Sequence, residues 1–460
     1  MRWAQPLFLG SCCFLLLLAW IPGLKYPVVS DTVNYALLGR SLWEHGTYTL
    51  NGVPYSNHLP LHAFLSYPLT ELFGFHLGMH VSTLLGAWGV MVSLFFLVRR
   101  VSKSVWIAAL SVVAVLLHPS FILMSMLGSA DLLFTTLFLL SLLFFLKAEN
   151  DRRWYVAAGT MVGLASLTRY NGLPLFVLFL VWILWKRRKD LKSRWLGLGL
   201  GLGLGLGSVW FVRNGLVFGN PLYSSYTAEL AQEAPNPLFM FFKNILYYGN
   251  PLHNIFPFFF VFALVGLWNH ARRFPFLILA MLAAWSLSMI WWVQAIRFMF
   301  PGFTILLFFS VLGLMDVFPR IRKSIACNAP TFCAVIIVAA GISIQSTSIC
   351  LYTYGECNAW FDRTVGILPK NLGLTPEGFY AWHLARQELN ARAEQGAVIR
   401  YELPGEAAGI FRDDLNITND PAQCPAYRIT QRPREGEQII FQTDVSPVTS
   451  VVQSTCTASL

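Results

Sequence analysis

Charge is scarce in this chain. Only 12% of its 460 residues are Asp, Glu, Lys or Arg, against about 25% in soluble domains. That deficit excludes an ordinary water-soluble fold of this length, whose surface would need the missing charge. Acids are scarcer still than bases, 23 against 33. The net charge of +10 does not mark a nucleic-acid binder, because Lys and Arg sit in short clusters between apolar runs. There they act as topology signals and contact anionic headgroups. No Gly-Lys-Ser or Gly-Lys-Thr follows the glycine-rich stretch, which argues against a phosphate loop. No small-residue cleavage site follows the first apolar run, where the chain reads Ile21-Pro22-Gly23-Leu24-Lys25. That run is therefore expected to be a retained helix and not a signal peptide.

Apolar residues are abundant, at 56%, and they cluster into runs long enough to cross hydrocarbon. Eleven spans are expected, over 4–22, 77–98, 104–121, 130–147, 153–168, 171–186, 195–213, 255–269, 274–293, 300–318 and 325–346. The fold class is thus mainly α, a polytopic transmembrane bundle with its N-terminus inside and a small α/β extracytoplasmic domain at the C-terminus. The orientation follows from Lys and Arg. One side collects Arg2, the Arg99–Lys103 and Lys147–Arg153 clusters, the run from Lys186 to Arg194, Arg272, Arg273, and Arg320 to Lys323. The other side, before the tail, holds Lys25, Arg40, Arg169, Arg213, Lys243 and Arg297. The transmembrane domain covers 1–346, with a first outer loop at 24–76 and a second at 214–254. Residues 347–460 form the soluble tail, outside a plasma or inner membrane.

Glycine stands at every second position from Gly197 to Gly207. Period two would suit a strand, but an open strand in lipid leaves backbone groups unsatisfied, so a closely packed helix is expected. The tail has helical patterning over 375–395 and strand-like stretches at 397–401 and 438–441. Its four cysteines, Cys350, Cys357, Cys424 and Cys456, suggest two disulfides in an oxidising compartment, with three pairings open. Their spacing is not that of a metal site. Asn416-Ile417-Thr418 has the form of a glycosylation sequon, a triplet that also arises by chance.

Ionisable residues near a membrane face carry the functional signal, because burying them beside lipid is costly. Asp31 opens an amphipathic helix on which Tyr35, Leu38 and Leu42 share a face. Position alone favours a helix cap there over a general base. The same bland reading applies to Asp131, at the start of the fourth span. For Arg169, Arg213 and Arg297 it is an interfacial anchor whose head reaches water.

Taken together, the order of these motifs resembles the C-type glycosyltransferase superfamily, the multispan enzymes that use polyprenyl-phosphate-linked sugars. The nearest look-alikes are the protein O-mannosyltransferase and lipid A aminoarabinose transferase branch. The resemblance covers about 20–320 and rests on Asp31, His58-Leu59-Pro60-Leu61, Asp131, Leu167-Thr168-Arg169-Tyr170-Asn171-Gly172, Arg213-Asn214 with Gly219-Asn220-Pro221, and Arg297-Phe298 with Pro301. Two departures stand out. Many relatives have adjacent acids where this chain has Asp31-Thr32, and His58 and Leu59 replace a usual basic residue and proline.

The resemblance implies an inverting transfer of a hexose or pentose from a polyprenyl-phosphate donor to a hydroxyl of a glycan, lipid or protein. Asp31 is then the expected base, with Asp131 a second catalytic acid that orients the acceptor. Arg297, Arg169 and, more weakly, Arg213 would hold the donor phosphate, since a guanidinium fork donates two bonds to it. Tyr35, His58, Tyr170 and Asn171 are expected at the substrates. Asp131 and His58 are also candidate ligands for a divalent cation, a weak expectation because hard ions want several oxygens. A transporter or flippase for a lipid-linked or small polar substrate is the main alternative, and an inactive assembly subunit a further one. Against the former, no two matching halves are visible and the acids lie at span ends.

Overall fold

The computed structural model describes residues 4–24, 30–50, 52–224, 226–227, 236–249, 257–291, 293–317, 385–386, 388–401, 416–417, 425–430, 433, 438–442 and 450–453. The expected span at 325–346 and all four tail cysteines lie outside the described residues, as does Thr418 of the sequon.

Helices dominate. They are α1 (Ala4–Gly23), α2 (Ser30–His45), α3 (Pro60–Phe73), α4 (Phe75–Ser102), α5 (Val105–Leu116), α6 (Pro119–Met124), α7 (Asp131–Lys147), α8 (Trp154–Ser166), α9 (Pro174–Lys186), α10 (Arg194–Phe218), α11 (Pro237–Gly249), α12 (Pro257–His270), α13 (Pro275–Trp285) and α14 (Ile296–Val317). Proline begins six of them, at a position where its missing N–H would have no helical partner and its fixed φ suits the first turn. By length and composition, α4, α10 and α14 are long and apolar enough to cross a membrane. Several expected spans are shorter or broken. The stretch 104–121 divides at His118-Pro119 into α5 and α6, because proline cannot donate to the preceding turn. The stretch 274–293 stops as helix at Trp285. Three helices lie outside the expected spans: α2, already read as an amphipathic helix of the first outer loop, α3, which precedes α4 across Gly74, and the amphipathic α11.

The glycine run is helical, as expected. In a helix, alternate glycines fall on two stripes, each repeating every fourth residue. One stripe faces α8 at backbone contact: a Cβ at Gly199 would stand 2.2 Å from the Tyr155 carbonyl oxygen, and one at Gly203 2.6 Å from that of Gly159. From α8, a Cβ at Gly159 would stand closer still to the Gly199 carbonyl. The other stripe, Gly197, Gly201 and Gly205, meets nothing within 4 Å.

The tail contains a five-stranded sheet in the order β4-β3-β5-β7-β6, with β3 at Val398–Tyr401, β4 at Asn416–Ile417, β5 at Tyr427–Thr430, β6 at Gln438–Gln442 and β7 at Ser450–Gln453. Strand β3 runs parallel to β4 and β5, and β7 runs antiparallel to β5 and β6. Ala385 and Leu389 pack with Ile399, Ile429 and Val451 as its small core. Both expected strand stretches are strands, and the described part of 375–395 is helical up to residue 392.

Candidate active site

The site gathers at the ends of helices that are distant in sequence. Asp31 lies in the first turn of α2 and Arg297 in the first turn of α14. Arg297 Nη1 donates to Asp31 Oδ2 at 2.9 Å across 266 residues of chain. A second pair stands beside it. Asp131 opens α7, and its Oδ1 lies 2.7 Å from Nη2 of Arg169, which follows the last turn of α8 in extended backbone. Ser129 donates to the other oxygen of Asp131 at 2.8 Å. The two guanidiniums share the Phe298 ring, with Cζ of Arg169 at 5.3 Å from its centroid and Cζ of Arg297 at 4.9 Å. Asp131 is only 1% exposed, so its charge is tolerable chiefly because Arg169 accompanies it. The Asp31 side chain is 28% exposed and can be approached.

Thr32 accounts for one departure from the family pattern. Its hydroxyl donates to the Leu127 carbonyl. Its methyl lies where a Cβ on Gly128 would intrude, at 2.3 Å. Gly128 has φ +67, so the turn that carries Asp131 needs glycine twice over. A second carboxylate at position 32 would face a carbonyl oxygen. Thr32 instead fastens the start of α2 to the turn before α7, and so ties Asp31 to Asp131. His62 completes that joint with Nε2 3.0 Å from the Gly128 carbonyl.

Tyr35, one turn along α2 from Asp31, stacks on His58 at 4.6 Å and meets His62 edge-on at 4.8 Å. His58 Nε2 is 3.8 Å from Asp31 Oδ1. Burial is the largest influence and pushes the Asp31 carboxyl up, but Arg297, His58 and Arg169 together outweigh it, Arg297 foremost, and hold it at about 2. Burial also drives the His58 imidazole to about 4, against the opposing pull of Asp31, so it is neutral near pH 7.

Three expected site residues are engaged elsewhere. Arg213 Nη1 and Nη2 donate to the carbonyls of Tyr55 and Tyr48, 2.8 and 2.9 Å away, and its guanidinium lies over Trp210. It clasps the two-stranded hairpin of β1 (Thr49–Leu50) and β2 (Val53–Pro54). The Tyr170 hydroxyl accepts from Trp210 Nε1. Asn171 donates to Ser288 Oγ at 2.8 Å, and Ser288 donates to the Phe298 carbonyl at 3.1 Å. That chain holds the Arg169 segment in register with the start of α14. Ser288, Ser129 and His62 carry no separate sequence signal, since single polar residues in apolar runs are common.

The two residues expected to share a metal ion fit one poorly. Asp131 is engaged with Arg169 and Ser129, and among the described residues no group of three or more His, Cys, Asp and Glu is arranged to hold an ion.

Residues 57–212 match the sequence model of a family described as dolichyl-phosphate-mannose-protein mannosyltransferase. The match contains His58, Asp131 and Arg169, while Asp31 and Arg297 lie outside it. Among solved structures, ArnT from Cupriavidus metallidurans bound to undecaprenyl phosphate superposes with TM-score 0.65 at 16% identity, covering 98% of each chain. The chain therefore shares the fold of that protein. The same protein in its apo state gives 0.59 at 16% identity, covering 97% of each chain. The S. cerevisiae Pmt1-Pmt2 complex bound to its sugar donor is a looser likeness, with TM-score 0.37 and 18% identity over 48% of this chain and 34% of that one. No curated protein matches the sequence. The likeness in fold agrees with the resemblance read from the motif order. Within that fold, the motifs noted along the sequence supply both carboxylate–guanidinium pairs.

Proposed function

We propose that the protein is an inverting glycosyltransferase that moves a sugar from a polyprenyl-phosphate donor to a hydroxyl acceptor at the outer face of the membrane. The observation that carries this reading is the Asp31–Arg297 pair beside Asp131–Arg169. A donor of this class hangs from a lipid too apolar to leave the bilayer, so transfer occurs at the interface. The acceptor hydroxyl needs a base, and Asp31, the more open of the two acids, takes its proton. The leaving phosphate is an anion, and Arg297 and Arg169 stabilise the charge that develops on it. Attack opposite that phosphate inverts the anomeric centre. Asp131 acts on Arg169, holding its guanidinium toward the phosphate. Arg213 serves the first outer loop and, with Trp210, shapes the wall of the site. The undecaprenyl phosphate bound to the structurally similar ArnT supports a lipid-linked substrate here. The tail lies on the same outer side.

The test is to incubate the purified protein with a panel of polyprenyl-phosphate sugars and follow release of the polyprenyl phosphate. Asp31→Asn keeps the shape of the side chain and removes its basicity, so it should express normally and lose turnover. Normal turnover by that variant would remove Asp31 as the base.

A further inference from the structure

His58 is held at one ring nitrogen, and the partner comes from an unexpected place. Tyr226, in the second outer loop, puts its hydroxyl 3.3 Å from His58 Nδ1 across 168 residues. Its ring is fixed edge-on against Trp291 at 5.2 Å. On the opposite side, His58 Nε2 is buried with no hydrogen-bond partner among the described residues and lies 3.8 Å from Asp31 Oδ1. Tyr35 stacks on one face of the imidazole, and Tyr55 meets it edge-on at 5.4 Å. The ring therefore has little freedom to turn.

We propose that Tyr226 is a positioning residue that fixes the tautomer of His58, and that the gap between His58 Nε2 and Asp31 Oδ1 seats the acceptor hydroxyl. This rests on the glycosyl-transfer reading above. A neutral imidazole carries one proton, and its place is set by what the other nitrogen meets. Asp31 offers only acceptor oxygens, so the proton belongs on Nε2, and Nδ1 then accepts from the Tyr226 hydroxyl. Burial holds the Tyr226 phenol well above its ordinary pKa, so it keeps the proton it donates. A gap of 3.8 Å is too long for a direct bond. An oxygen set to one side of the line between the two atoms lies about 2.8 Å from each, the ordinary length of such bonds.

A hydroxyl in that seat accepts from His58 Nε2–H and points its own proton at Asp31 Oδ1. Its remaining lone pair is free to attack. In the step itself, the hydroxyl oxygen bonds to the anomeric carbon while the bond from that carbon to the phosphate oxygen breaks. The electron pair leaves with the phosphate, and the hydroxyl proton passes to Asp31. His58 thereby belongs to the acceptor, while Arg297 and Arg169 belong to the donor.

A double-mutant cycle tests this. Tyr226→Phe should lower kcat/KM for the acceptor about tenfold, the upper range for loss of one neutral hydrogen bond. It should leave the donor KM within about twofold. Gln at position 58 offers an N–H near the place of Nε2 and has no tautomer to fix. In the His58→Gln background, Tyr226→Phe should therefore cost less than about twofold. Equal losses in both backgrounds would overturn the proposal, as would a loss that falls on the donor KM. If His58→Gln does not fold, Tyr226→Phe alone decides, by whether its defect lies with the acceptor or with the donor. A wild-type protein that consumes no polyprenyl-phosphate sugar would instead remove the underlying functional reading.

Discussion

Replacing Arg297 with Ala should reveal an acid limb in the pH profile that the native protein hides. Arg297 is the strongest of the groups that lower Asp31 from 3.8 to about 2. That difference corresponds to about 2.5 kcal/mol favouring the ionised form. A group with a depressed folded pKa contributes stability that is fully present above its unfolded value. For Asp31 this contribution holds above 3.8 and is lost as pH falls through about 2. In the native protein the base therefore stays ionised across the working range. Without Arg297, burial is opposed only by His58 and Arg169, and the carboxyl returns to its ordinary value or higher. The phosphate also loses a cation, which should cut kcat/KM for the donor by about a hundredfold to a thousandfold. The assay is release of polyprenyl phosphate in nanodiscs, followed from about pH 4 to about pH 9, where the profile of kcat/KM reports the free enzyme. A variant whose acid limb and donor kinetics both match the wild type would refute the pairing as a functional element.

Arg169→Ala should destabilise the protein by about 3–5 kcal/mol, because it strands the buried Asp131 carboxylate without its cation. Adding Asp131→Asn should recover most of that loss in thermal unfolding without restoring donor use, and an unchanged melting temperature in the single variant would contradict the structure. The glycine stripes make a paired prediction. Gly199→Ala forces a Cβ to 2.2 Å from the Tyr155 carbonyl and should cost about 1–3 kcal/mol. Gly201→Ala enters open space and should be neutral or stabilising by up to about 1 kcal/mol. Equal effects from the two would mean that α8 and α10 are not in backbone contact.

Much of the site was legible because membrane burial filters charge so strongly. Asp31, Asp131, Arg169 and Arg297 stand out in apolar surroundings, and each proves to have a charged partner. Which acid meets which base was not legible, since Asp31 joins Arg297 through packing between helices at opposite ends of the bundle sequence. Tyr170, Asn171 and Arg213 sit in the right motifs, yet their polar atoms are engaged by Trp210, Ser288 and the carbonyls of the first outer loop. A motif reports that a residue is near the site and says little about which way its side chain turns. Tyr226 escaped notice because one tyrosine among many in an outer loop carries no periodicity. In the fold, the helical reading of the glycine run held because lipid forbids the strand alternative. The break at His118-Pro119 carried a signal in Pro119 that hydropathy alone passes over, whereas the one after Trp285 lies inside an apolar run with no such mark.

The contact of α8 with α10 gives the two guanidiniums unequal footings. Arg169 emerges from a helix welded main chain to main chain to its neighbour, with no side-chain layer between them to compress or slide. Arg297 instead opens a helix that begins only at Ile296, after the preceding α-helix has ended at Trp285, and Ser288 braces its first turn through the Phe298 carbonyl. The Asp131–Arg169 pair is thus the more firmly mounted of the two, and the Asp31–Arg297 pair rests on the less buttressed footing.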